Sequence, residues 1–285
     1  MRVFTPASAG HLKVILATNI AETSVRIPGI KYVIDSGFVK ARSYDLVKGM
    51  ESLIIVPTSK AQALQRRAEG PGKCFRLYPE REFEKLEDST KPEIKRCNLS
   101  NVILQLKALG VDDIIRFDFM EKPSRAAIIK SLEHLFLLGA LTDDCKLSEP
   151  IGHQMARLPL DLIYSKALIL ASQFNCLEEM LITVAMLSVE SFFMPLARRR
   201  MSQIRGHVEQ MGLPISSCGD DLVQFRRCLA ASFFLNAALK QPEGTYSILQ
   251  KIVNSLWTLP ANTRKDGDAA SIVFILNFYD SKPGC

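Results

Sequence analysis

VILATNIAETS, Val14 to Ser24, is the stretch on which the fold turns. Val14-Ile15-Leu16-Ala17 predicts a short buried strand, too brief for a helix and rich in β-branched residues. It runs into Thr18-Asn19, which sets small hydrogen-bonding side chains at what would be the carboxyl edge of a sheet. Open α/β sheets bind their ligands along that edge. Thr23 and Ser24 add hydroxyls that suit a phosphate oxygen without fixing a base. The same string also suits a plain strand-to-helix loop capped by its own hydroxyls, and the spacing alone does not separate the two.

Downstream, Tyr32-Val33-Ile34 predicts a second buried strand, and Gly37 to Val56 a hairpin. The hairpin arms are Phe38 to Tyr44 and Ser52 to Val56, with Lys48-Gly49 at the turn. A parallel sheet needs cover and neighbours on both sides. No full series of βα units precedes these strands here, so the α/β section is expected to be part of a sheet, cut at its N-terminal side.

From about Pro92 the pattern turns helical. Asn98-Leu99-Ser100 opens a helix with Val102, Leu106 and Leu109 on one face, stopped by Gly110. A second follows Lys122-Pro123-Ser124 and carries Ile128, Leu132, Leu135 and Phe136 up to Gly139. Ala140-Leu141, a turn at Thr142-Asp143-Asp144, and Lys146-Leu147 then form a small hairpin. Helix, helix and short wing is the order of a winged helix; an αα-hairpin followed by a β-turn fits the pattern equally well. Residues 158–240 predict helix almost throughout. Leu177, Met180, Leu181, Val184 and Ala185 recur at helical spacing, with Asn175 as N-cap and Glu178 completing a capping box. Leu222, Phe225, Leu229 and Phe233 form another stripe, and Met180, Met186 and Met194 are expected as core filler. Beyond Gln241-Pro242-Glu243-Gly244 the periodicity fades, leaving one strand candidate at Ile272 to Leu276.

With 285 residues, 47% of them hydrophobic, the chain can bury a core and form two or three domains. The net charge of +6 is compatible with a polyanionic partner but decides nothing by itself. Seven cysteines without a Cys-x-x-Cys pair, beside four histidines, predict reduced thiols in a cytosolic or nuclear protein. Neither a disulfide frame nor a zinc site is expected. No 18-residue apolar run is present, and Met1 to Pro6 opens no signal-peptide core.

Ala17-Thr18-Asn19-Ile20-Ala21-Glu22-Thr23-Ser24, then Ile27-Pro28-Gly29-Ile30 and Tyr32 to Lys40, resembles motif V and its downstream strand in the DEAH-box RNA helicases. The resemblance continues through Glu51-Ser52-Leu53, Pro57 to Ala61, and Gly70 to Tyr78. It runs from Arg2 to about Pro195 and resumes from Gln203 to Tyr246. It implies a partial second RecA-like lobe over residues 1–93, a winged helix over 94–157, and a helical ratchet bundle over 158–240. Residues 241–285 stand where an OB-fold would begin, in degenerate form. The expected class is therefore a partial α/β lobe followed by a mostly α region and a degenerate tail.

The resemblance also implies site residues. Thr18 and Asn19 of motif V, with Gln65 and Arg66 at the start of motif VI, would face a nucleotide. Thr23, Ser24, Lys40 and Arg42 would lie near RNA. Arg226 is expected to snorkel beside its apolar stripe, whereas Arg227 points away and could meet a backbone phosphate. ATP and magnesium are the cofactors of the intact family, and RNA its substrate, plausibly in pre-mRNA splicing. Spliceosomal proteins or a G-patch activator are the implied protein partners, and the nucleus the favoured compartment. A non-catalytic adaptor, binding partners through the winged-helix and lobe surfaces, is the alternative.

The chain departs from the family in three places. Motif VI reads Gln-Arg-x-x-Gly-Arg-x-Gly-Arg, but Gln65-Arg66 is followed only by Arg67-Ala68-Glu69 before Gly70-Pro71-Gly72. The arginine fingers, worth roughly 10³ or more in rate, are missing. No Gly-x-x-x-x-Gly-Lys-Ser/Thr and no Asp-Glu-x-His string occurs among the 285 residues. After Phe192-Phe193-Met194-Pro195 the chain passes through Arg198-Arg199-Arg200 to a much later ratchet helix. That arginine run reads either as a phosphate-binding patch or as a solvated junction. Together these features predict a shortened gene product with no intact catalytic set, no metal site, and weak RNA binding without turnover.

Overall fold

The computed structural model describes residues 2–8, 10–23, 27–46, 50–67, 71–189, 194–240, 246–248 and 272–274. The chain divides into two compact units, Met1–Leu99 with Ile115–Ser131, and Ser100–Ile114 with Leu132–Cys285.

The first unit holds α1 (Ile20–Thr23), β1 (Tyr32–Asp35), β2 (Phe38–Asp45), β3 (Met50–Pro57), α2 (Lys60–Gln65), β4 (Lys73–Arg76) and α3 (Glu80–Glu84). β1 pairs in parallel with β4, Tyr32 opposite Lys73 and Asp35 opposite Arg76. β2 and β3 form the expected antiparallel hairpin, in register from Phe38–Pro57 to Asp45–Met50; its turn, Lys48-Gly49, lies outside the described residues. Arg96 fastens the hairpin. Its guanidinium donates to the Arg42 carbonyl at 2.8 Å, and its own carbonyl accepts from the Tyr44 N–H at 2.7 Å. A capping box starts α2: the Ser59 side chain accepts from the Gln62 N–H, and the Gln62 side chain accepts from the Ser59 N–H.

The strand predicted at Val14 to Ala17 does not form. Residues 11–18 carry no regular structure, and Val14 and Leu16 are 84% and 97% exposed. A strand needs a neighbour to take its ladder hydrogen bonds, and among the described residues β1 pairs with β4 alone. The burial expected for β1 holds on one face only. Asp35 is buried and Val33 half-buried, while Tyr32 and Ile34 are exposed.

The later elements are α4 (Ser100–Ala108), α5 (Arg125–Leu137) and α6 (Ile151–Arg157). The wing shrinks to one antiparallel bridge, Leu141–Leu147. The face predicted for α4 is corrected: Val102 is exposed and Leu109 80% exposed, while Ile103, Leu104 and the stem of Lys107 are buried. Val102, Ile103, Leu104 and Leu106 are all apolar, so two phases of the stripe satisfy the pattern and packing selects one. Phe136 of α5 is likewise exposed where Leu135 and Leu138 are buried.

The bundle consists of α7 (Leu162–Gln173), α8 (Leu177–Leu187), α9 (Met194–Gln210) and α10 (Leu222–Ser232). Leu177, Met180, Leu181, Val184 and Ala185 are all buried, as their spacing requires. The cap of α8 differs from expectation. Cys176 is the N-cap, with no side-chain cap bond, and Asn175 sits at a φ of 53°. Glu178 turns instead to Arg205, at 2.5 Å. An ion pair outcompetes the local bond because the guanidinium adds charge to the hydrogen bond. On α10 the stripe is rotated: Phe233, Cys228 and Ser232 are buried, but Leu222 is exposed. Met180 is core and Met186 is exposed. The helical prediction also ends early, because Ala237–Lys240 is a strand, β5. It sits between β6 (Tyr246–Ile248) and β7 (Ile272–Phe274), antiparallel to both. No helix among the described residues is long and apolar enough to cross a membrane.

Candidate nucleic-acid interface

Lys40 and Arg42 stand two residues apart on β2 and so share a face of the hairpin. The register sets Ile55 opposite Lys40 and Leu53 opposite Arg42. Both cations are exposed, and so are Phe38, Leu53 and Ile55. Two cations among solvated apolar side chains suit a chain whose phosphates meet the charges and whose bases meet the apolar surface.

Thr18 and Asn19 are exposed. Their carbonyls accept from the N–H groups of Ala21 and Glu22 at 3.1 Å each and so open α1. Thr23 ends α1, while Ser24 lies outside the described residues. Gln65, the last residue of α2, is exposed. Arg66 is held inward, with its side chain 13% exposed. Its Nε donates to Glu22 Oε2 at 2.8 Å, its Nη1 to Asp35 Oδ1 at 2.5 Å, and its Nη2 to the Phe38 carbonyl at 3.2 Å. Burial works against the charge, but the bonds that the guanidinium donates to Glu22 and Asp35 outweigh it and hold the pKa above its ordinary value.

Asp35 is the residue that sequence reasoning missed. Its fully buried carboxylate accepts from Gly37 N–H at 2.9 Å, Arg66, and the Tyr78 hydroxyl at 3.0 Å. Burial alone would raise its pKa; these bonds and the charge of Arg66 together hold it below the usual carboxylate value. Burial, then the bond to Asp35, pushes the Tyr78 phenol up to about 12. The available signal was Asp35-Ser36-Gly37, an aspartate bonding the backbone two residues on. Gly37 has a φ of 80°, and a Cβ there would meet the Tyr78 ring at 2.7 Å.

Arg227 belongs to the second unit and is exposed on α10. The arginine run is helical, within α9. Arg198 and Arg199 are exposed, and Arg200 donates to the Pro159 carbonyl at 3.1 Å.

Residues 161–221 match the ratchet-like helicase-associated domain (HA2), and residues 131–160 match its winged-helix domain. The chain is 57% identical over 321 residues to the pre-mRNA-splicing factor ATP-dependent RNA helicase DEAH10 of Arabidopsis thaliana, covering 88% of this chain and 45% of the relative. It is 40% identical over 306 residues to the ATP-dependent RNA helicase DHX33 of Mus musculus, covering 87% of this chain and 44% of that one. Among solved structures, the Escherichia coli DEAH/RHA helicase HrpB superposes with a TM-score of 0.74 at 26% identity, over 87% of this chain and 33% of that chain. The chain thus spans less than half the length of the curated relatives it matches. Both alignments are longer than the 285 residues of the chain, so these relatives carry internal segments without a counterpart here.

Proposed function

Because the chain belongs to the DEAH-box RNA helicase family and corresponds to the C-terminal part of its relatives, we propose that it binds single-stranded RNA through the backbone in RNA–protein remodelling. The observation that carries this reading is the exposed pairing of Lys40 and Arg42 with Ile55 and Leu53 across the hairpin. Binding of this kind is weak, indifferent to sequence and steep in salt, because it works by releasing counterions. Thr18, Asn19 and Thr23 are proposed as neutral hydrogen-bonding residues for the RNA backbone, and Arg227, in the second unit, is proposed separately as a phosphate contact.

Residues 1–93 are proposed as the end of the second RecA-like lobe, 94–157 as the winged helix, 158–240 as the ratchet, and 241–285 as the remnant of an OB-fold. The matches at 131–160 and 161–221 support the middle two. Intact relatives are named ATP-dependent helicases. ATP and magnesium in the intact family require a phosphate loop, which lies outside these 285 residues, so the RNA contact proposed here is one that does not call on turnover. The gapped alignments support a form shorter than these relatives, and the sequence reading places the shortening in the bundle and motif VI. The name of the DEAH10 relative supports a role in pre-mRNA splicing, hence in the nucleus; spliceosomal proteins or a G-patch activator are proposed as partners on the family resemblance alone.

Fluorescence anisotropy of a short labelled oligouridylate, titrated with the 285-residue chain across a salt series, tests the reading. Weak binding that tightens as salt is lowered is expected. Tight binding that ignores salt, or none at the lowest salt, overturns it.

A further inference from the structure

We infer that Arg66 is a positioning residue, whose guanidinium holds the Thr18–Thr23 segment in place through Glu22 rather than reaching outward to a phosphate. The inference rests on the proposed RNA contact only for its consequence in binding. Its geometric content stands on the first unit alone.

Arg66 closes α2 as its C-cap, its backbone N–H donating to the Gln62 carbonyl. From there one planar fork reaches three other elements: Glu22 on α1, Asp35 at the end of β1, and the Phe38 carbonyl at the start of β2. Only a guanidinium presents donors in that arrangement; a lysine ammonium is a point charge on a flexible stem. The Glu22 side chain is 3% exposed and the Asp35 side chain fully buried. Without Arg66, two carboxylates would share a desolvated pocket with no cation between them.

Two features favour positioning over phosphate binding. First, the cluster holds two carboxylates and one guanidinium, and the Tyr78 hydroxyl and Gly37 N–H only donate to Asp35. An incoming phosphate would have to displace one of two desolvated carboxylates from a guanidinium whose Nε, Nη1 and Nη2 already donate within the unit. Second, α1 has four residues, too few to persist by its own hydrogen bonds. The side chain of Glu22 ties α1 to α2 through Arg66. The carbonyls of Thr18 and Asn19 open that helix, so their placement depends on the same tie.

Hydrogen–deuterium exchange on the 285-residue chain tests this with Arg66→Gln, Arg66→Lys and Glu22→Gln. Arg66→Gln is expected to speed exchange at the Ala21 and Glu22 amides about ten-fold or more, with the amides of α8 unchanged. Arg66→Lys should fail to restore protection, and Glu22→Gln should act in the same direction. The Glu22→Gln/Arg66→Gln pair should be no worse than Arg66→Gln alone. If Arg66→Gln does not fold, Glu22→Gln carries the measurement. In the RNA titration, Arg66→Gln should weaken binding about five-fold with the salt slope unchanged, whereas a lost phosphate contact would lower that slope by roughly 0.7. Unchanged exchange in both Arg66→Gln and Glu22→Gln, or full rescue by Arg66→Lys, overturns the inference and leaves the RNA reading standing. Exchange that responds in a chain unable to bind RNA overturns that reading and leaves the positioning role in place.

Discussion

Gly152 on α6 packs so closely on the carbonyl of Ala140 that a Cβ at Gly152 would stand 2.3 Å from that oxygen. The same carbonyl accepts from the Ser148 N–H at 3.0 Å, and the Ser148 hydroxyl both donates to the Gly139 carbonyl and accepts from the Gly152 N–H. The turn after α5 is thereby locked onto the first turn of α6. Backbone cannot yield as a side-chain tip can, so Gly152→Ala should cost about 1–3 kcal/mol. Urea unfolding monitored by circular dichroism should show a lower midpoint with an unchanged slope. An unchanged midpoint would mean that α6 shifts freely.

Asp35 sets an acid limit on the first unit. Its carboxyl is held below the ordinary aspartate value by Gly37, Tyr78 and Arg66, against the effect of burial. A depressed folded pKa stabilises the fold above the unfolded value of about 3.9, and that stabilisation is lost as pH falls through the folded value. Asp35→Asn should therefore cost about 3 kcal/mol near pH 7, because it leaves Arg66 short of a buried partner. The difference from the parent chain should shrink below about pH 4. A penalty constant from pH 7 to pH 3 would assign the loss to shape rather than charge.

Charge reversal on the hairpin should reshape the salt dependence of RNA binding. Lys40→Glu and Arg42→Glu each remove one cation, so the slope of log affinity against log salt should flatten by roughly 0.7 per contact. Anisotropy titrations at three or more salt concentrations give that slope directly. Variants that keep the parent slope would move the contact off the hairpin.

Limited proteolysis should begin in residues 11–18. That run has no regular structure, and Leu12, Val14 and Leu16 are almost wholly exposed. Trypsin at low ratio, followed by intact-mass analysis, should report cleavage after Lys13 before any within α7 or α8. First cleavage inside the bundle would reverse the expected order.

In the bundle, Leu181→Ala should cost about 2–5 kcal/mol, since Leu181 is completely buried on α8. Thermal unfolding should shift down while the salt slope of RNA binding stays at the parent value. A parallel loss of slope would show that the core and the charged surface are coupled.

The sequence by itself determined the elements whose signals are local. The period of Leu177, Met180, Leu181, Val184 and Ala185 requires one buried face of a helix, whatever packs against it. The hairpin read over Gly37 to Val56 follows likewise from two strand-like arms around a turn, and the structure extends its pairing to Phe38–Pro57. Motif strings that resemble the DEAH-box family were also legible in order, from Ala17 to Tyr78 and beyond. Only the tertiary structure decided what depends on partners distant in the chain. Val14 to Ala17 has the composition of a strand, but among the described residues no strand pairs with it, so it stays irregular and largely solvated. The apolar run of α4 allows two faces, and packing chose Ile103 and Leu104 over Val102 and Leu109. Arg66 had the address of a nucleotide ligand, yet Glu22 and Asp35, 44 and 31 residues away, turn its guanidinium inward. A buried cation goes where its charge is matched, and that match is a property of three-dimensional neighbours rather than of sequence order.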